Sequence, residues 1–297
     1  MLAKLAETSA IVRATFDDAS LVLGYDLWRL CSEGPFEELN ETERTQPAML
    51  VAGIATWRLW QERGGIEPAV VTGHSLGEFT ALVAAGAIDF AHCVELVRFR
   101  GRAMQDAVPK GTGAMAALLG LEDAQVEAAC TEAAQGAVVE AVNFNSPGQV
   151  VIAGEKAAVL RAIELAKARG AKRAIELPVS VPSHSSLMKS AGVKLGERLA
   201  ATEIRAPRIR YVSAVDATEH AEPEDIRGLL GRQLSSPVRW TQTITALSSG
   251  GAACIVECGP GGVLSGLVKR IEKGRDTRAL SLDQPESFQA ALAAVAA

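Results

Sequence analysis

Before residue 110, apolar and polar positions alternate mostly with helical spacing. Leu21–Leu30, Pro47–Trp60 and Phe90–Gln105 each gather apolar side chains on one face, which predicts three amphipathic helices. Between the last two, the apolar run Pro68–Thr72 ends at a glycine and is followed by the helical stretch Glu78–Ala85. A helix, a buried strand and another helix in this order are typical of an α/β protein with a parallel sheet.

From Gly113 the rhythm changes to short apolar runs alternating with helical stretches, in the order β-α-β-β-α-β. The six predicted elements are Ala114–Leu119, Glu122–Ala134, Val138–Phe144, Val150–Ala153, Lys156–Arg169 and Ala174–Val181. This is the ferredoxin-like order. We therefore expect an α/β fold in which residues 111–181 form a ferredoxin-like subdomain. It is inserted into a hydrolase-like, parallel-sheet catalytic domain made of residues 1–110 and 182–297.

Beyond residue 182 the pattern is sparser. It predicts a helix over Leu187–Ala200, short strands near Arg210–Val215 and Ala253–Glu257, and a last sizeable helix over Val263–Glu272. The turn before that helix, Cys258–Gly262, is glycine-rich but has neither dinucleotide nor P-loop spacing. We interpret it as a close-packed corner between a strand and a helix.

Composition narrows the function classes. The 297 residues are 48% hydrophobic and carry 30 Lys and Arg against 35 Asp and Glu, a net charge of -5, which argues against nucleic acid as the main partner. Charged residues interrupt every apolar stretch near the start, so neither a signal peptide nor a membrane span is predicted. The five cysteines are scattered without metal-ligand spacing, and no metal is expected. We expect a cytoplasmic monomer with no membrane partner.

Residues Gly73–Gly77 read G-x-S-x-G between the predicted strand and helix. In that context the pattern predicts a nucleophile elbow, with Ser75 exposed at a strained corner and glycines allowing strand and helix to approach closely. The next amide, that of Leu76, lies at a helix N-terminus and suits a developing oxyanion. The alternative is a chance pentapeptide in a chain with 27 glycines.

A serine nucleophile needs a general base, and the chain has four histidines. His92 and His220 lie among polar residues, which indicates a solvated helix face and a surface loop. His74 is adjacent to Ser75, where neighbouring side chains diverge at a sharp turn. His184 remains, between small residues where a strand gives way to a helix, and is the candidate base. The alternative is a histidine with a purely structural role.

The predicted helix Phe90–Gln105 carries three arginines, which projection separates. Arg100 falls roughly 60° from the centre of the apolar face, against about 100° for Arg98 and about 140° for Arg102. An inward guanidinium cannot lose its proton, so it must meet an anion or bear a heavy desolvation cost. Residue chemistry alone leaves two partners open for Arg100, a structural carboxylate or a substrate anion.

Taken together, the motifs identify a resemblance to malonyl-CoA:acyl-carrier-protein transacylases of fatty-acid synthesis and the related acyltransferase domains of polyketide synthases. The matching stretches run in family order over nearly the whole chain: Thr45–Ala48, Gly73–Glu78, Arg98–Gly101, Asn143–Gln149, Val181–His184, Arg232–Leu234, Pro237–Trp240 and Val256–Gly261. As a set they are far more specific than the elbow alone.

The resemblance implies a ping-pong transfer of malonyl from coenzyme A to Ser75 and then to the phosphopantetheine thiol of acyl carrier protein. It implies His184 as base and then acid, and Arg100 as partner of the malonyl carboxylate, which resolves the choice above toward substrate. Gln46, Leu76 and Gln233 are implied to line the substrate site. The histidine is oriented in this family by a backbone carbonyl near Gln233. No cofactor is implied beyond malonyl-CoA as substrate.

One departure concerns the beginning of the sequence. The family opens with an apolar strand and a loop whose glutamine helps to form the oxyanion hole, whereas this sequence starts in the helix that follows. A lost oxyanion donor typically costs about 100- to 1,000-fold in rate. We therefore expect that Met1 is a wrongly assigned start or the chain a truncated form, and that these residues alone are poorly active.

Two other classes of protein share some of these features. A serine esterase or thioesterase would use the same elbow and release the acyl group to water. A non-catalytic or truncated protein that only binds would also fit the absence of the oxyanion glutamine. Substitution of Arg100 and detection of an acyl group on Ser75 distinguish these alternatives from a transacylase.

Overall fold

A computed structural model describes residues 1–179 and 181–296. Its helices, in chain order, are α1 Ala3–Ala6, α2 Ala10–Leu23, α3 Leu27–Glu33, α4 Phe36–Leu39, α5 Thr42–Glu62, α6 Gly77–Ala84, α7 Phe90–Gln105, α8 Asp123–Ala134, α9 Lys156–Ala168, α10 Lys189–Ala200, α11 Pro223–Gln233, α12 Trp240–Ser249, α13 Val263–Ile271 and α14 Pro285–Ala296. The strands are β1 Val70–Thr72, β2 Gly113–Leu119, β3 Val139–Ser146, β4 Gln149–Glu155, β5 Arg173–Glu176, β6 Arg210–Val212, β7 Glu219–His220, β8 Cys254–Glu257 and β9 Arg278–Ser281. The chain is thus a mixed α/β protein.

In the described residues the parallel pairing is divided between two small sheets. Strand β1 pairs with β6 in parallel, with Val71 opposite Tyr211, and β7 adds an antiparallel edge. Strand β8 pairs with β9 in parallel, with Ile255 opposite Ala279. Helices α2, α5, α6 and α7 pack on each other and supply most of the largest buried cluster. Side chains from β1, β6, β8 and β9 border the same cluster.

A four-stranded antiparallel sheet of order β3-β4-β2-β5 occupies the middle of the sequence. Helices α8 and α9 cover one face, and a separate apolar cluster fills the space between them and the strands. The outer strand β3 also bonds to the later chain: the Phe144 amide donates to the Val238 carbonyl at 2.9 Å, and the Val238 amide to the Val142 carbonyl at 2.8 Å. This edge of the sheet is therefore joined to the segment that follows α11.

The structure corrects two of the predicted elements. The single helix expected over Leu21–Leu30 is wrong, because Gly24 adopts a left-handed φ of 75° that ends α2, and Asp26 then caps α3 through the Arg29 amide. The strand expected over Ala174–Val181 is shorter: β5 ends at Glu176, two residues before Pro178, which has no amide hydrogen to donate. Ser180, within that predicted strand, lies outside the described residues, as does Ala297.

Several elements of the second half were not anticipated from the sequence. These are α11, α12, β9 and α14. His220, expected in a surface loop, lies instead in the two-residue strand β7. Helix α7 spans the residues that its apolar periodicity predicts. Helix α5 was predicted to begin at Pro47 and begins five residues earlier.

Gly73 is required where β1 turns into α6. A Cβ atom added there would lie 1.9 Å from the backbone carbonyl carbon of Gly77, whereas one added at Gly77 would have nothing within 4 Å. The close approach of β1 and α6 therefore depends on Gly73, the first glycine of the pentapeptide. The expectation that the second glycine also permits this approach is wrong for Gly77.

We expect Gly73→Ala to lower the free energy of unfolding by about 3 kcal/mol, because the methyl group can be accommodated only by moving the elbow backbone. Gly77→Ala is the matched control and should change it by no more than about 0.5 kcal/mol. Urea unfolding of both variants measures the difference. Equal destabilisation by the two substitutions would contradict this account of the turn.

Candidate active site

The elbow between β1 and α6 presents Ser75 in a left-handed conformation, with φ 52°. The Gly77 amide donates to the His74 carbonyl at 2.8 Å and the Glu78 amide to the Ser75 carbonyl at 3.1 Å. The Leu76 amide, at the N-terminal end of α6, takes part in no hydrogen bond among the described residues. A free amide next to the hydroxyl can donate a hydrogen bond to an oxyanion.

The His184 imidazole lies against that hydroxyl. Its Nε2 is 2.7 Å from Ser75 Oγ, and its Nδ1 is 3.0 Å from the Gln233 carbonyl oxygen and 3.1 Å from that of Ser236. Carbonyl oxygens only accept, so Nδ1 carries the hydrogen and Nε2 is free to accept the Ser75 proton. No carboxylate is needed to fix this tautomer.

His184 also has a left-handed backbone, with φ 66°, and is 4% exposed. Burial, together with the charges of Arg100 and His74, lowers the pKa of the imidazole to about 3. The side chain is therefore neutral at physiological pH, as a proton acceptor must be.

Arg100 points inward from α7, as its position on the helix predicts, and is 1% exposed. Its Nη2 donates to Gln233 Oε1 at 2.9 Å and to Ser75 Oγ at 3.2 Å, and its Nη1 lies 3.4 Å from Met104 Sδ. Burial lowers the pKa of the guanidinium to about 10, so the group remains charged near neutrality. Among the described residues no carboxylate lies within ion-pair distance of Arg100.

Gln233, at the end of α11, holds three parts of the site together. Its backbone carbonyl accepts from His184, its side-chain Oε1 accepts from Arg100, and its Nε2 donates to the Ser75 carbonyl at 2.9 Å. An amide side chain can donate through its nitrogen and accept through its oxygen at the same time. The buried position of Gln233 therefore fixes base, cation and elbow relative to one another.

Gln46, on α5, approaches the same group of side chains from the other side. Its Nε2 lies 3.1 Å from Met104 Sδ, the atom that also faces Arg100, while its Oε1 is buried without a hydrogen-bond partner among the described residues. An unsatisfied buried acceptor is costly and is available to a donor from a bound molecule.

The other histidines lie away from the hydroxyl. His74 Nε2 is 2.8 Å from Asn145 Oδ1 on β3, and its ring packs edge-on against Trp240. His92 is exposed beside Asp89, and His220 bonds to Asp216. The structure thus brings Ser75, His184, Arg100, Gln46, Leu76 and Gln233 into one cluster.

Sequence reasoning gave no role to Glu78, Asn145 or Met104 at this site. Glu78 is a buried carboxyl group in the first turn of α6, 1% exposed, bonded to Tyr211 and Ser213. The signal that the sequence offers for Glu78 is a carboxyl group in an otherwise apolar helix. Within residues 1–179 and 181–296, no group of three or more metal-ligating side chains is present, and no helix is long and apolar enough to cross a membrane.

The chain is similar to known proteins in both sequence and fold. Residues 1–283 match the family described as acyl transferase domain. The malonyl CoA-acyl carrier protein transacylase of Escherichia coli K12 is 54% identical over 293 residues, 98% of this chain and 94% of that protein. The crystal structure of an acyl carrier protein S-malonyltransferase from Vibrio cholerae has a TM-score of 0.94 at 54% identity, with 98% of this chain and 94% of that chain covered.

A third relative was solved with a partner. It is a malonyl-transacylase in complex with its acyl-carrier protein from a type II polyketide synthase, with a TM-score of 0.97 at 51% identity, covering 99% of this chain and 94% of that chain. The match covers nearly the whole chain, and the fold brings a serine, a buried histidine and a buried arginine into one cluster. The chain therefore belongs to the acyl transferase domain family, among its malonyl-CoA:acyl-carrier-protein transacylases.

Proposed function

We propose that this protein transfers malonyl from coenzyme A to the phosphopantetheine thiol of acyl carrier protein in fatty-acid biosynthesis. The observation that carries the proposal is the position of Ser75 Oγ, between an unprotonated imidazole nitrogen at 2.7 Å and a buried guanidinium at 3.2 Å. The first group can activate the hydroxyl, and the second suits an acyl group that ends in a carboxylate. The names of the relatives above support the same assignment.

In the first half-reaction Ser75 attacks the thioester carbonyl of malonyl-CoA while His184 Nε2 takes its proton. The oxyanion forms beside the Leu76 amide at the N-terminus of α6. Collapse of this intermediate breaks the carbon–sulfur bond, and His184 returns the proton to the departing coenzyme A thiolate. The product is a malonyl ester on Ser75, and His184 is again neutral.

The second half-reaction runs the same steps in reverse order with another thiol. His184 accepts the proton of the phosphopantetheine thiol, whose sulfur attacks the ester carbonyl, and then gives the proton to the Ser75 oxygen as it leaves. The proposed transfer needs no cofactor beyond the malonyl-CoA substrate. A monomeric state and a cytoplasmic location stay predictions.

Arg100 is proposed to select the acyl group. Among the described residues its guanidinium donates only to neutral acceptors, which include Gln233 Oε1 and Ser75 Oγ. A malonyl carboxylate offers charge-assisted, bidentate bonds in their place, which an acetyl group cannot. Gln46, with its unpaired buried Oε1, and Gln233 are proposed to line the same pocket.

The architecture is proposed to follow the same family. The strand order β3-β4-β2-β5, antiparallel and covered by α8 and α9, supports a ferredoxin-like subdomain over residues 111–181. The two parallel pairs, β1 with β6 and β8 with β9, support a hydrolase-like catalytic domain made of residues 1–110 and 182–297.

Intact-mass spectrometry after incubation with malonyl-CoA tests the central step. We expect a stoichiometric malonyl adduct that peptide mapping places on Ser75 and that disappears in Ser75→Ala. Adding holo acyl carrier protein should discharge the adduct onto the carrier thiol. Rapid release of free malonate without a carrier would instead identify a hydrolase, and absence of any adduct would leave only binding.

Arg100→Ala tests selection of the acyl group. Because two charge-assisted bonds to the carboxylate are lost, we expect kcat/KM for malonyl-CoA to fall about 100- to 1,000-fold, with a much smaller change for acetyl-CoA. Arg102→Ala on the same helix is the control, since that side chain is 52% exposed and pairs with Glu43. An equal loss for both acyl groups in Arg100→Ala would point to a structural role.

The pH dependence of serine acylation tests the state of His184. With its pKa lowered to about 3, the His184 imidazole stays neutral down to mildly acidic pH. The burst rate with a small uncharged ester such as p-nitrophenyl acetate should therefore be flat from about pH 7 to about pH 5. If the imidazole had the ordinary pKa of about 6.5, the burst rate would fall roughly 30-fold by pH 5. That profile would contradict the lowering of the pKa by burial.

A further inference from the structure

Glu140 is a carboxylate on β3 that the proposed reaction does not use. Its neighbours Val139 and Ala141 pack into the apolar cluster between the sheet and helices α8 and α9. Because side chains alternate across a strand, Glu140 points to the opposite face of the sheet. On that face its Oε2 accepts a hydrogen bond from the Ser186 amide at 2.6 Å. This bond joins the antiparallel sheet to the segment that carries His184.

The Ser186 amide needs such an acceptor because it begins a helical segment. Ser186–Met188 forms a short 3-10 turn that leads directly into α10. The first amides of a helical segment have no acceptor within it. Ser185, at the capping position, provides no side-chain acceptor, since its hydroxyl donates to the Pro182 carbonyl at 2.7 Å. Glu140 therefore serves as the cap from another element of the fold.

The tie between Glu140 and Ser186 is specific. It joins residues 46 positions apart, and among the described residues the Glu140 side chain makes no other hydrogen bond and no ion pair. A hydrogen bond to an ionised acceptor is roughly twice as strong as one between neutral groups. The carboxylate is thus committed to this one amide.

The turn that ends at Ser186 is strained at the residue that matters for the reaction. His184 has a φ of 66°, which costs free energy for a side chain other than glycine and persists only where the surroundings enforce it. Within the turn, the Ser183 amide donates to the Val181 carbonyl at 2.8 Å, and Ser185 bonds to Pro182. These bonds close the turn on itself, whereas the Glu140 bond attaches its end to β3.

We propose that Glu140 is a positioning residue that holds the His184 backbone where the imidazole meets Ser75. This inference rests on the proposed function, in which His184 accepts the Ser75 proton. When the Ser186 amide is released, the strained turn can relax toward negative φ, and the imidazole then moves away from the hydroxyl that it contacts at 2.7 Å. A displacement of about 1 Å can cost about 100-fold in rate. Glu140 touches no reacting atom and acts through the backbone.

Glu140→Ala removes the bond and tests this role. We expect the rate constant for malonylation of Ser75 at saturating malonyl-CoA to fall about 10- to 100-fold. The half-saturating concentration should stay within about twofold, because Arg100 and Gln46 keep their places. Glu140→Gln retains an oxygen that accepts from the Ser186 amide, so its rate constant should lie within about threefold of the wild-type value. Rapid-quench mass spectrometry of the adduct gives both quantities.

Glu155 on β4 offers the matched control. Its Oε1 accepts from the Val138 amide at 2.9 Å, a bond of the same kind in the same sheet. Glu155→Ala should lower the midpoint of urea unfolding about as much as Glu140→Ala and leave the malonylation rate constant unchanged. Exchange of the Ser186 amide with solvent, followed by NMR, reports on the bond itself. It should become faster in Glu140→Ala and stay at the wild-type rate in Glu155→Ala.

The outcomes separate the two proposals. A rate constant that is unchanged in Glu140→Ala, that falls equally in Glu155→Ala, or that Glu140→Gln does not restore would overturn the role of Glu140. If Glu140→Ala does not fold, Glu140→Thr gives the same test, since threonine favours strands and its side chain is shorter than that of glutamate. A wild-type protein that forms no malonyl adduct on Ser75 would instead overturn the proposed function, while exchange of the Ser186 amide would still report whether Glu140 holds the turn.

Discussion

The candidate site is organised around one permanent positive charge, the buried guanidinium of Arg100. A guanidinium cannot give up its proton to escape burial, so the surrounding side chains must supply acceptors. Arg100 finds them in Gln233 Oε1, Ser75 Oγ and the Met104 thioether, with the Phe79 ring 5.5 Å from its central carbon. Burial, and after it the same charge, keep the nearby His184 imidazole from taking a proton, because a second cation in this space would be unfavourable.

Backbone strain supports the placement of both reacting side chains. Ser75 and His184 adopt positive φ angles, a conformation that costs free energy for any residue other than glycine and that persists only where the surroundings enforce it. The surroundings here are the tight contact of Gly73 with the Gly77 backbone and the two carbonyls that hold the imidazole Nδ1. The backbone at both residues is thus held where the two side chains meet at 2.7 Å.

The sequence predicted the local features of this site better than its long-range ones. The periodicity of α7 put Arg100 on the inner face, and the flanks of the pentapeptide predicted the turn at Ser75. Tertiary packing determines which side chains meet when they are more than a hundred residues apart in the sequence. No local pattern indicates that the Gln233 side chain meets Arg100, or that Glu78 meets Tyr211. Helix α11, which carries Gln233, is itself strongly polar and was not anticipated.

The bonds between β3 and Val238 bear on how the imidazole is held. Val238 pairs with Val142 and Phe144, and only two residues earlier the Ser236 carbonyl accepts from His184 Nδ1. On the other side of the elbow, Asn145 of the same strand holds His74. One strand edge thus braces both segments that flank the reacting pair. The middle third of the sequence supplies neither the hydroxyl nor the imidazole. It nevertheless helps to hold the two groups in position relative to each other.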